Sequence, residues 1–552
     1  MRTVADWPRL LLTAALPWFA PPAAAGEQPA PPAMDVPLMR EEAFAAGLAH
    51  AYRGPWEFFV GGGVAALDCD GDRRPDLFLA GGSEPARLFV NRSPAGGALK
   101  FEERSLDTVS ERDLTNVVGA YPLDIDNDGH LDLVVLRVGA NLILKGGPDC
   151  TFAPANRAFA FDGGRDWTTA FAATFEAGSR FPTLAFGNYV DRSAPGSPWG
   201  TCHDNALFRP AEGDAPRYGE RTVLSPGFCT LSILFTDWHR TGQPDLRMTN
   251  DRQYYRGGEE QLWRVDPGRP PRLYTRSDGW RSVQIWGMGI AEADLDADGY
   301  PEYALTSMGD TRLQTLDEDA EENRPVYRDI AFERGATAQR PYSGGDPKPS
   351  TGWHAEFADF NNDGRLDLFI AKGNVQQMPE FATADPDNML LGTAAGTFVE
   401  VGHLAGIDRP TKGRGAALVD LNMDGMLDLV VVNREENVSL FRNTGARVDW
   451  GTRPMGNWVA IELMQRGANR NAVGATISVK TGNTTRLRKV QVGGGHASGR
   501  LGFEHVGLGV SERAEIRVQW PDGEWSAPYR VFANNFVVIE RGAEQARYWL
   551  PQ

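Results

Sequence analysis

Basic residues are scarce in this sequence relative to acidic ones. The 552 residues include 56 Lys and Arg against 73 Asp and Glu, which gives a formal net charge of −17. Nucleic acids and anionic membranes attract proteins through basic patches. The deficit therefore argues against both as partners. It leaves two sources for the acidic excess, a solvated surface or carboxylates that bind metal.

The familiar catalytic and zinc-binding motifs are also missing. The sequence contains no GxSxG elbow, no HExxH and no P-loop lysine motif, and its eight histidines are scattered along the chain. There is no CxxC, and no Cys/His cluster has zinc spacing. We therefore predict no catalytic residue, and the sequence favours a protein that is not an enzyme.

Long apolar runs are absent except at the start of the chain. Leu10 to Ala20 follows Arg2 and Arg9 and precedes three alanines ending at Ala25, which predicts a signal peptide over residues 1–25. A Pro- and Ala-rich linker follows at 26–36. The run is too short for an ordinary membrane-spanning helix. We expect export to the periplasm or beyond, with no transmembrane segment after cleavage; an uncleaved N-terminal anchor is the alternative.

Cysteine is rare but even in number. Cys69, Cys150, Cys202 and Cys229 are the only four. In an exported chain they predict one or two disulfides. Three pairings are open, and Cys202 with Cys229 is preferred because these two are closest in sequence.

One pattern recurs along the chain: an apolar strand, a carboxylate-rich loop and a second apolar strand. Four copies, beginning at Asp124, Asp294, Asp359 and Asp420, have Asp or Asn at loop positions 1, 3 and 5, Gly at 6 and an acid at 9. A fifth begins at Asp68. It keeps all four acids but has Arg at position 6, which predicts a looser loop.

Two further units are degraded. The copy at residues 237–245 loses two acids, and the spacing of about 60 residues places another unit near residue 183, where no acidic loop is present. Repeats of this length indicate propellers, solenoids or arrays. Each unit holds several short β-rich runs and no helical periodicity. Four short strands per unit make one blade, so we predict an all-β fold with a seven-bladed β-propeller over residues 37–448.

The loop residues predict calcium binding. Carboxylate and amide oxygens at positions 1, 3, 5 and 9, with a backbone carbonyl from position 7, suit the oxygen-rich shell of Ca²⁺. Zinc and copper are disfavoured because His and Cys are absent, and magnesium is the second choice. We expect about five sites. The predicted ligands are Asp68, Asp70, Asp72, Asp76, Asp124, Asp126, Asp128, Asp132, Asp294, Asp296, Asp298, Glu302, Asp359, Asn361, Asp363, Asp367, Asp420, Asn422, Asp424 and Asp428.

Two other interpretations of these loops are weaker. An EF-hand needs a glutamate at position 12, and the sequence has only apolar residues there, namely Leu79, Val135, Leu305, Ile370 and Val431. A single Asp-rich turn is explained by ordinary turn chemistry. Five copies in one register favour a metal site instead.

The loops and the strands that follow them resemble FG-GAP/VCBS repeats. Those repeats build the seven-bladed head of integrin α subunits and occur in many bacterial secreted proteins. The resemblance implies that the segment beginning at Met39 pairs with the last blade and closes the ring. It extends to the turns at Trp286–Gly289 and Gly413–Gly415.

The last hundred residues lack acidic loops and resemble the ASPIC/UnbV domain of the cartilage acidic protein family. The matching segments are Asn457–Leu463, Asn469–Ala475, Gly507–Gly509 and Val518–Gly523. The resemblance implies a small β domain over residues 449–541, with a C-terminal tail at 542–552. It implies an extracellular, calcium-stabilised propeller that binds a protein or glycan in adhesion or as a scaffold. The alternative is a secreted hydrolase or lyase that acts on glycans or phosphoesters in the propeller funnel.

Overall fold

The computed structural model describes residues 34–551 except 198–199, 252–257, 282, 319, 321–322, 338–348 and 376–379. The predicted signal peptide and most of the predicted linker lie outside the described residues. No helix in the described part of the chain has the length and apolar character needed to cross a membrane.

Seven antiparallel sheets of four principal strands follow one another along the chain, which confirms the predicted fold class. The strand that opens the described chain, β1 Pro37–Glu41, belongs to the last of them. Blade 1 consists of β2 Val64–Leu67, β3 Asp76–Leu79, β4 Arg87–Asn91 and β5 Phe101–Arg104. Blade 2 consists of β6 Val117–Leu123, β7 Asp132–Arg137, β8 Leu142–Gly147 and β9 Thr151–Pro154. Blade 3 consists of β10 Thr168–Thr174, β11 Thr183–Asn188, β12 Asn205–Phe208 and β13 Arg221–Leu224.

The remaining blades repeat the pattern. Blade 4 consists of β14 Thr230–Thr236, β15 Asp245–Asn250, β16 Gln261–Arg264 and β17 Arg272–Leu273. Blade 5 consists of β18 Gly287–Ala293, β19 Glu302–Ser307, β20 Arg312–Leu316 and β21 Tyr327–Asp329. Blade 6 consists of β22 Gly352–Ala358, β23 Asp367–Lys372, β24 Asn388–Gly392 and β25 Phe398–Glu400. Blade 7 contains β26 Gly413–Val419, β27 Asp428–Asn433, β28 Ser439–Val448 and β1, with β29 Gly451–Arg453 added to β28.

The first strand of each blade lies at the centre of the ring. These seven strands contact one another in order, and β26 contacts β2, so the circle is complete. Every residue of β6, β10 and β14 is buried, as expected for strands enclosed on both faces. The ring closes where β1 pairs antiparallel with β28, which confirms the expected pairing of the first segment with the last blade.

Two four-stranded sheets form the C-terminal domain. Their strands, in sheet order, are β34 Glu504–Gly509, β30 Asn457–Met464, β37 Asn535–Glu540, β38 Arg547–Trp549; and β32 Thr484–Lys489, β31 Thr476–Thr481, β35 Arg513–Gln519, β36 Tyr529–Phe532. Strand β38 falls within residues 542–552, where the sequence predicts a tail, and it pairs with β37. One further strand, β33 Gly499–Arg500, leaves this domain and pairs with β2 of blade 1.

Helices are short in the described chain. They are α1 Glu111–Leu114, α2 Ala331–Arg334 and α3 Gly402–Ala405, with 3-10 turns at Trp56–Phe59, Pro148–Cys150 and Arg276–Asp278.

A segment of the C-terminal domain fills the centre of the propeller. We call residues 490–501 the plug. The backbone of Gly494 donates to the Ile233 carbonyl at 2.7 Å, and that of Gly495 donates to the Ile290 carbonyl at 2.7 Å. Ala173 in blade 3 donates to Val492 at 3.0 Å. The plug thus satisfies backbone groups of the inner strands that have no partner within their own sheets.

The Gly-rich stretch of the plug lies elsewhere in the structure than its sequence alone indicates. Residues 493–496 read as a β-turn within the last domain, but they lie inside the channel. The inner strands lie so close to the plug that glycine is also required at a position in the channel wall. A Cβ on Gly119 of blade 2 would lie 2.0 Å from the Ala497 carbonyl oxygen.

His496 is the buried polar centre of the plug. It is fully buried, and its Nε2 accepts a hydrogen bond from the Gly61 N–H at 3.0 Å. Its Nδ1 therefore carries the hydrogen and donates to the Met288 carbonyl at 3.2 Å. Burial, together with the nearby Arg414 and His354, lowers the pKa of His496 to about 3.

Both pairs of cysteines form disulfides. Cys202 bonds Cys229, as the sequence favours, and Cys69 bonds Cys150. The second bond joins the acidic loop of blade 1 to the outer part of blade 2, so it links neighbouring blades across 81 positions of sequence.

Replacing Gly119 by alanine should loosen the plug. The added methyl group clashes with the Ala497 carbonyl, and overpacking of this kind costs about 1–3 kcal/mol. We expect a lower melting temperature and faster hydrogen exchange over residues 490–501. Gly502→Ala is the matched control, because nothing lies within 4 Å of that Cβ. Equal effects of the two substitutions would contradict a tightly filled channel.

Acidification should destabilise the protein through His496. Its folded pKa of about 3 lies below the ordinary 6.5, so only the unfolded state takes up this proton between those values. Stability from this group is complete above pH 6.5 and is lost as the pH falls toward 3, by up to about 1.4 kcal/mol per pH unit. Urea unfolding between pH 6.5 and 4.5 should show a shallower pH slope for His496→Gln. An unchanged slope would contradict a buried neutral imidazole.

Candidate metal centres

The acidic loops all join the first strand of a blade to the second. Loop 1 (68–76) joins β2 to β3, and loops 2, 5, 6 and 7 take the same position in their blades. The loops are numbered here by blade. The pseudo-symmetry of the ring therefore places all five predicted sites on one face of the propeller.

The loops share one backbone conformation. Positions 4 and 6 are left-handed in each, for example Asn127 at φ 62° and Gly129 at φ 95° in loop 2. Loop 1 follows the same path with its glycine moved to position 4, Gly71 at φ 83°, and with Arg73 at φ 65°. The arginine that predicts a looser loop is thus accommodated without a change of conformation.

The position-1 carboxylate closes each turn. In loop 6, Asp359 accepts the backbone N–H groups of Asp363 at 3.1 Å and Gly364 at 2.8 Å. In loop 7, Asp420 accepts those of Asp424 at 3.0 Å and Gly425 at 2.7 Å. These bonds hold the loop in place around its side-chain oxygens.

The position-9 carboxylate anchors each loop to the blade. In loop 2, Asp132 accepts the N–H of Ile125 at 3.0 Å and that of Gly146 in β8 at 2.8 Å. Asp76, Asp367 and Asp428 make the equivalent pair of bonds. Each of these carboxylates ties the loop to the third strand from a buried position.

Carboxylates from positions 1, 3 and 9 converge in three loops. Their oxygens lie within 4.8 Å of one another in the sets Asp68, Asp70 and Asp76; Asp124, Asp126 and Asp132; and Asp294, Asp296 and Glu302. In loops 6 and 7 an amide stands at position 3. There Asn361 and Asn422 donate to the position-5 carboxylates of Asp363 and Asp424, at 3.2 Å and 3.0 Å.

The position-5 carboxylates hydrogen-bond to the backbone two residues further along the loop. Asp72, Asp128, Asp298, Asp363 and Asp424 each accept the N–H of the residue at position 7, at 2.7–2.9 Å. In each case one oxygen makes that bond. The predicted ligand set is thus held together by its own backbone in every loop.

Three loops contain, at predicted ligand positions, buried oxygens that no group within the described chain satisfies. They are Oδ1 of Asp126, Oδ1 of Asp294 and Oδ1 of Asn422. A buried acceptor without a partner is costly. A hard cation that prefers oxygen ligands would satisfy such atoms, so the residues present fit calcium.

The carboxylates resist carrying full negative charge without a cation. Burial raises the pKa of Asp68, Asp124 and Asp294 to about 6, and the neighbouring loop carboxylates add to the shift. Burial raises the pKa of Glu302 and of Asp359 to about 7. Positive charge in these loops would relieve both the desolvation and the mutual repulsion.

Basic side chains approach three of the loops. Lys145 from β8 contacts Asp126 and Asp128 in loop 2, Arg92 donates to Asp70 in loop 1 at 2.9 Å, and Arg365 contacts Asp363 in loop 6. These contacts offset part of the negative charge of the three loops.

The degraded loop of blade 4 keeps its shape but uses protein groups in place of a cation. Positions 4 and 6, Arg240 and Gly242, are left-handed as in the acidic loops. The position-9 carboxylate of Asp245 accepts hydrogen bonds from Trp238 at 2.7 Å and Tyr274 at 2.8 Å. In blade 3, Glu176 pairs with Arg209 at 2.7 Å.

The C-terminal domain rests on four acidic loops, an arrangement the sequence does not predict. It contacts positions 4 and 6, the left-handed residues. The bonds are Arg73 to Glu462 at 2.7 Å, Asn469 N–H to Asn127 at 2.6 Å, Gly509 N–H to the Asn362 carbonyl at 2.9 Å, and His505 to the Gly425 carbonyl at 3.1 Å. Trp458 packs against Gly425 so closely that a Cβ there would lie 1.7 Å from its ring.

Removing one ligand should remove one ion. We expect Asp363→Ala in loop 6 to lower the number of calcium ions bound per chain by one, measured by equilibrium dialysis with elemental analysis. Thr241→Ala is the matched control, because it changes position 5 of the degraded loop in blade 4. The same ion count in both variants would contradict a site in loop 6.

Two domain families match the chain at the places where these features lie. The FG-GAP-like repeat matches residues 68–135, which include loops 1 and 2. The ASPIC and UnbV family matches residues 465–546, within the C-terminal domain. Among solved structures, BBS1N in complex with ARL6DN has a TM-score of 0.40 at 8% identity, over 72% of this chain and 94% of that chain.

Two curated relatives are cartilage acidic protein 1 from Xenopus tropicalis and from Mus musculus. Each is 25% identical, over 45% and 43% of this chain respectively. The chain spans only about a third of their length, 36% and 34%. The chain thus carries an FG-GAP-like repeat and an ASPIC and UnbV domain, and it is similar in sequence to cartilage acidic protein 1.

Proposed function

We propose that this protein is an exported calcium-binding β-propeller that acts as a binding, adhesion or scaffold module. Its partner would be an extracellular or periplasmic protein or glycan. The observation that carries the proposal is the set of five acidic loops in one register, four of which support a second domain. The FG-GAP-like repeat and the sequence similarity to cartilage acidic protein 1 support the same class of protein.

Calcium would act through the loop backbone. The ligand positions 1, 3, 5 and 9 are separated by positions 4 and 6, and those two positions contact the C-terminal domain. An ion that fixes the ligands therefore fixes the contact points as well. We propose that about five calcium ions hold the propeller face in the conformation on which the C-terminal domain rests.

The alternative of a secreted hydrolase or lyase has less support. It needs an open funnel at the centre of the propeller, and the plug fills that channel. The plug histidine has both ring nitrogens engaged in hydrogen bonds to backbone groups. It is therefore held as a structural residue and not as a free general base.

Chelation should weaken both the blades and the domain contact. A ligand bound only to the folded state at 100 times its Kd stabilises that state by about 2.7 kcal/mol per site. We expect EGTA to lower the melting temperature and to speed hydrogen exchange at residues 457–463 and 505–509. Excess calcium should restore both, and magnesium should restore less. A chelator-insensitive melt with no ion in elemental analysis would contradict the proposal.

The binding role is tested by capture from the native envelope or medium. We expect a partner retained in calcium and released by EGTA. Turnover of a glycan or phosphoester that is lost when one carboxylate near the channel is replaced would favour the hydrolase or lyase instead.

A further inference from the structure

A large cavity separates the C-terminal domain from one side of the propeller. It has a volume of about 720 Å³, within the range of small-molecule sites. Blades 3, 4 and 5 line one wall, with Ser179, Gln243 and Pro301 among the lining residues, and Gln519 and Trp525 line the other. The domain contacts described above involve loops 1, 2, 6 and 7. The cavity thus opens beside the loops that join the first and second strands of blades 3, 4 and 5, and Asp237 and Asp294 are among its lining residues.

Several of the charged groups in the cavity wall are paired with one another. Lys489 lies 3.3 Å from Glu292, and Arg500 lies 2.7 Å from Glu356 and 3.1 Å from Glu504. At the rim, Arg541 lies 2.6 Å from Asp522. A charged ligand would have to compete with these pairs for its partners, so the wall favours a ligand without net charge.

Several polar groups in the wall remain available for a ligand. Within the described chain, the side chains of Gln243, Gln519 and Thr476 make no hydrogen bond. Arg488 makes one side-chain bond, to the Leu487 carbonyl at 2.8 Å, while the nearby carboxylates of Glu504 and Asp359 offset its charge. These amides, hydroxyl and guanidinium offer both donors and acceptors at fixed positions.

One aromatic ring adds an apolar surface to this polar wall. Trp525 is 42% exposed, although the guanidinium of Arg517 lies 5.2 Å from its ring centroid. An exposed indole beside amide groups suits a sugar ring, which presents C–H groups on its faces and hydroxyls around its edge.

We propose that the cavity between blades 3–5 and the C-terminal domain binds an uncharged oligosaccharide. Gln243 reaches the sugar from the propeller, Gln519 and Arg488 reach it from the C-terminal domain, and Trp525 stacks on one ring. This inference rests on the proposed function, because it assigns a site and a ligand class to the binding module. The site is built from two domains, so it is complete only while the C-terminal domain rests on its loops.

The test uses calcium-loaded full-length protein and four trisaccharides. Cellotriose, maltotriose and triacetylchitotriose are the uncharged probes, and trigalacturonic acid is the anionic probe. We expect at least one uncharged probe to bind in calorimetry. Trp525→Ala should weaken it about tenfold and Gln243→Ala about threefold. Trp450→Ala is the matched control, since that tryptophan is 98% exposed and lies outside the cavity wall.

Three results would overturn the inference: no binding of any uncharged trisaccharide, binding unaffected by Trp525→Ala and Gln243→Ala, or binding of trigalacturonic acid alone. Melting curves of each variant exclude loss of fold as the cause of weaker binding. Calcium-dependent melting without sugar binding would overturn this inference and leave the proposed function intact. Chelator-insensitive melting would overturn the proposed function whatever the sugars do.

Discussion

The buried carboxylate at the end of each acidic loop is the interaction on which the rest of the structure depends. Its two oxygens accept hydrogen bonds from the loop and from the third strand, as Asp132 does from the N–H groups of Ile125 and Gly146. One side chain thus fixes the loop, the register of the blade and the direction of the neighbouring ligand positions. Blade 4 keeps this anchor in Asp245 although its loop has no acid at positions 3 and 5. The anchor is therefore separable from metal binding.

The C-terminal domain adds a second set of contacts between blades that already form a closed ring. It contacts the left-handed positions of four loops and sends the plug through the ring, where inner strands of several blades find hydrogen-bond partners. The loops contact the C-terminal domain away from the centre of the ring, whereas the plug contacts the inner strands at the centre. Loss of charge balance in the loops and loss of packing in the channel would therefore both weaken the contact between the propeller and the C-terminal domain.

Local patterns predicted the parts of the structure that each repeat determines for itself. The acidic register predicted the seven blades and the position of β11 near residue 183, because strand, turn and strand are neighbours in sequence. The ligand sets remain predictions. The plug escaped prediction because its glycines have partners in blades hundreds of positions away. The bond between Cys69 and Cys150 is the one that remains when Cys202 pairs with Cys229, so the preferred pairing is consistent with it. The prediction of a looser first loop was wrong, because Arg73 takes the left-handed conformation that glycine has at position 6 of the other acidic loops.

Chain order gives the plug a further consequence. The strands that close the ring, β1 and β28, both precede the plug in sequence, so the ring is complete as a pattern of strands before residues 490–501 are synthesised. The channel is thus built entirely from residues that precede the segment filling it. Because the plug belongs to the same chain, it is present at a high effective concentration relative to the channel. The centre of this propeller is filled from within its own chain.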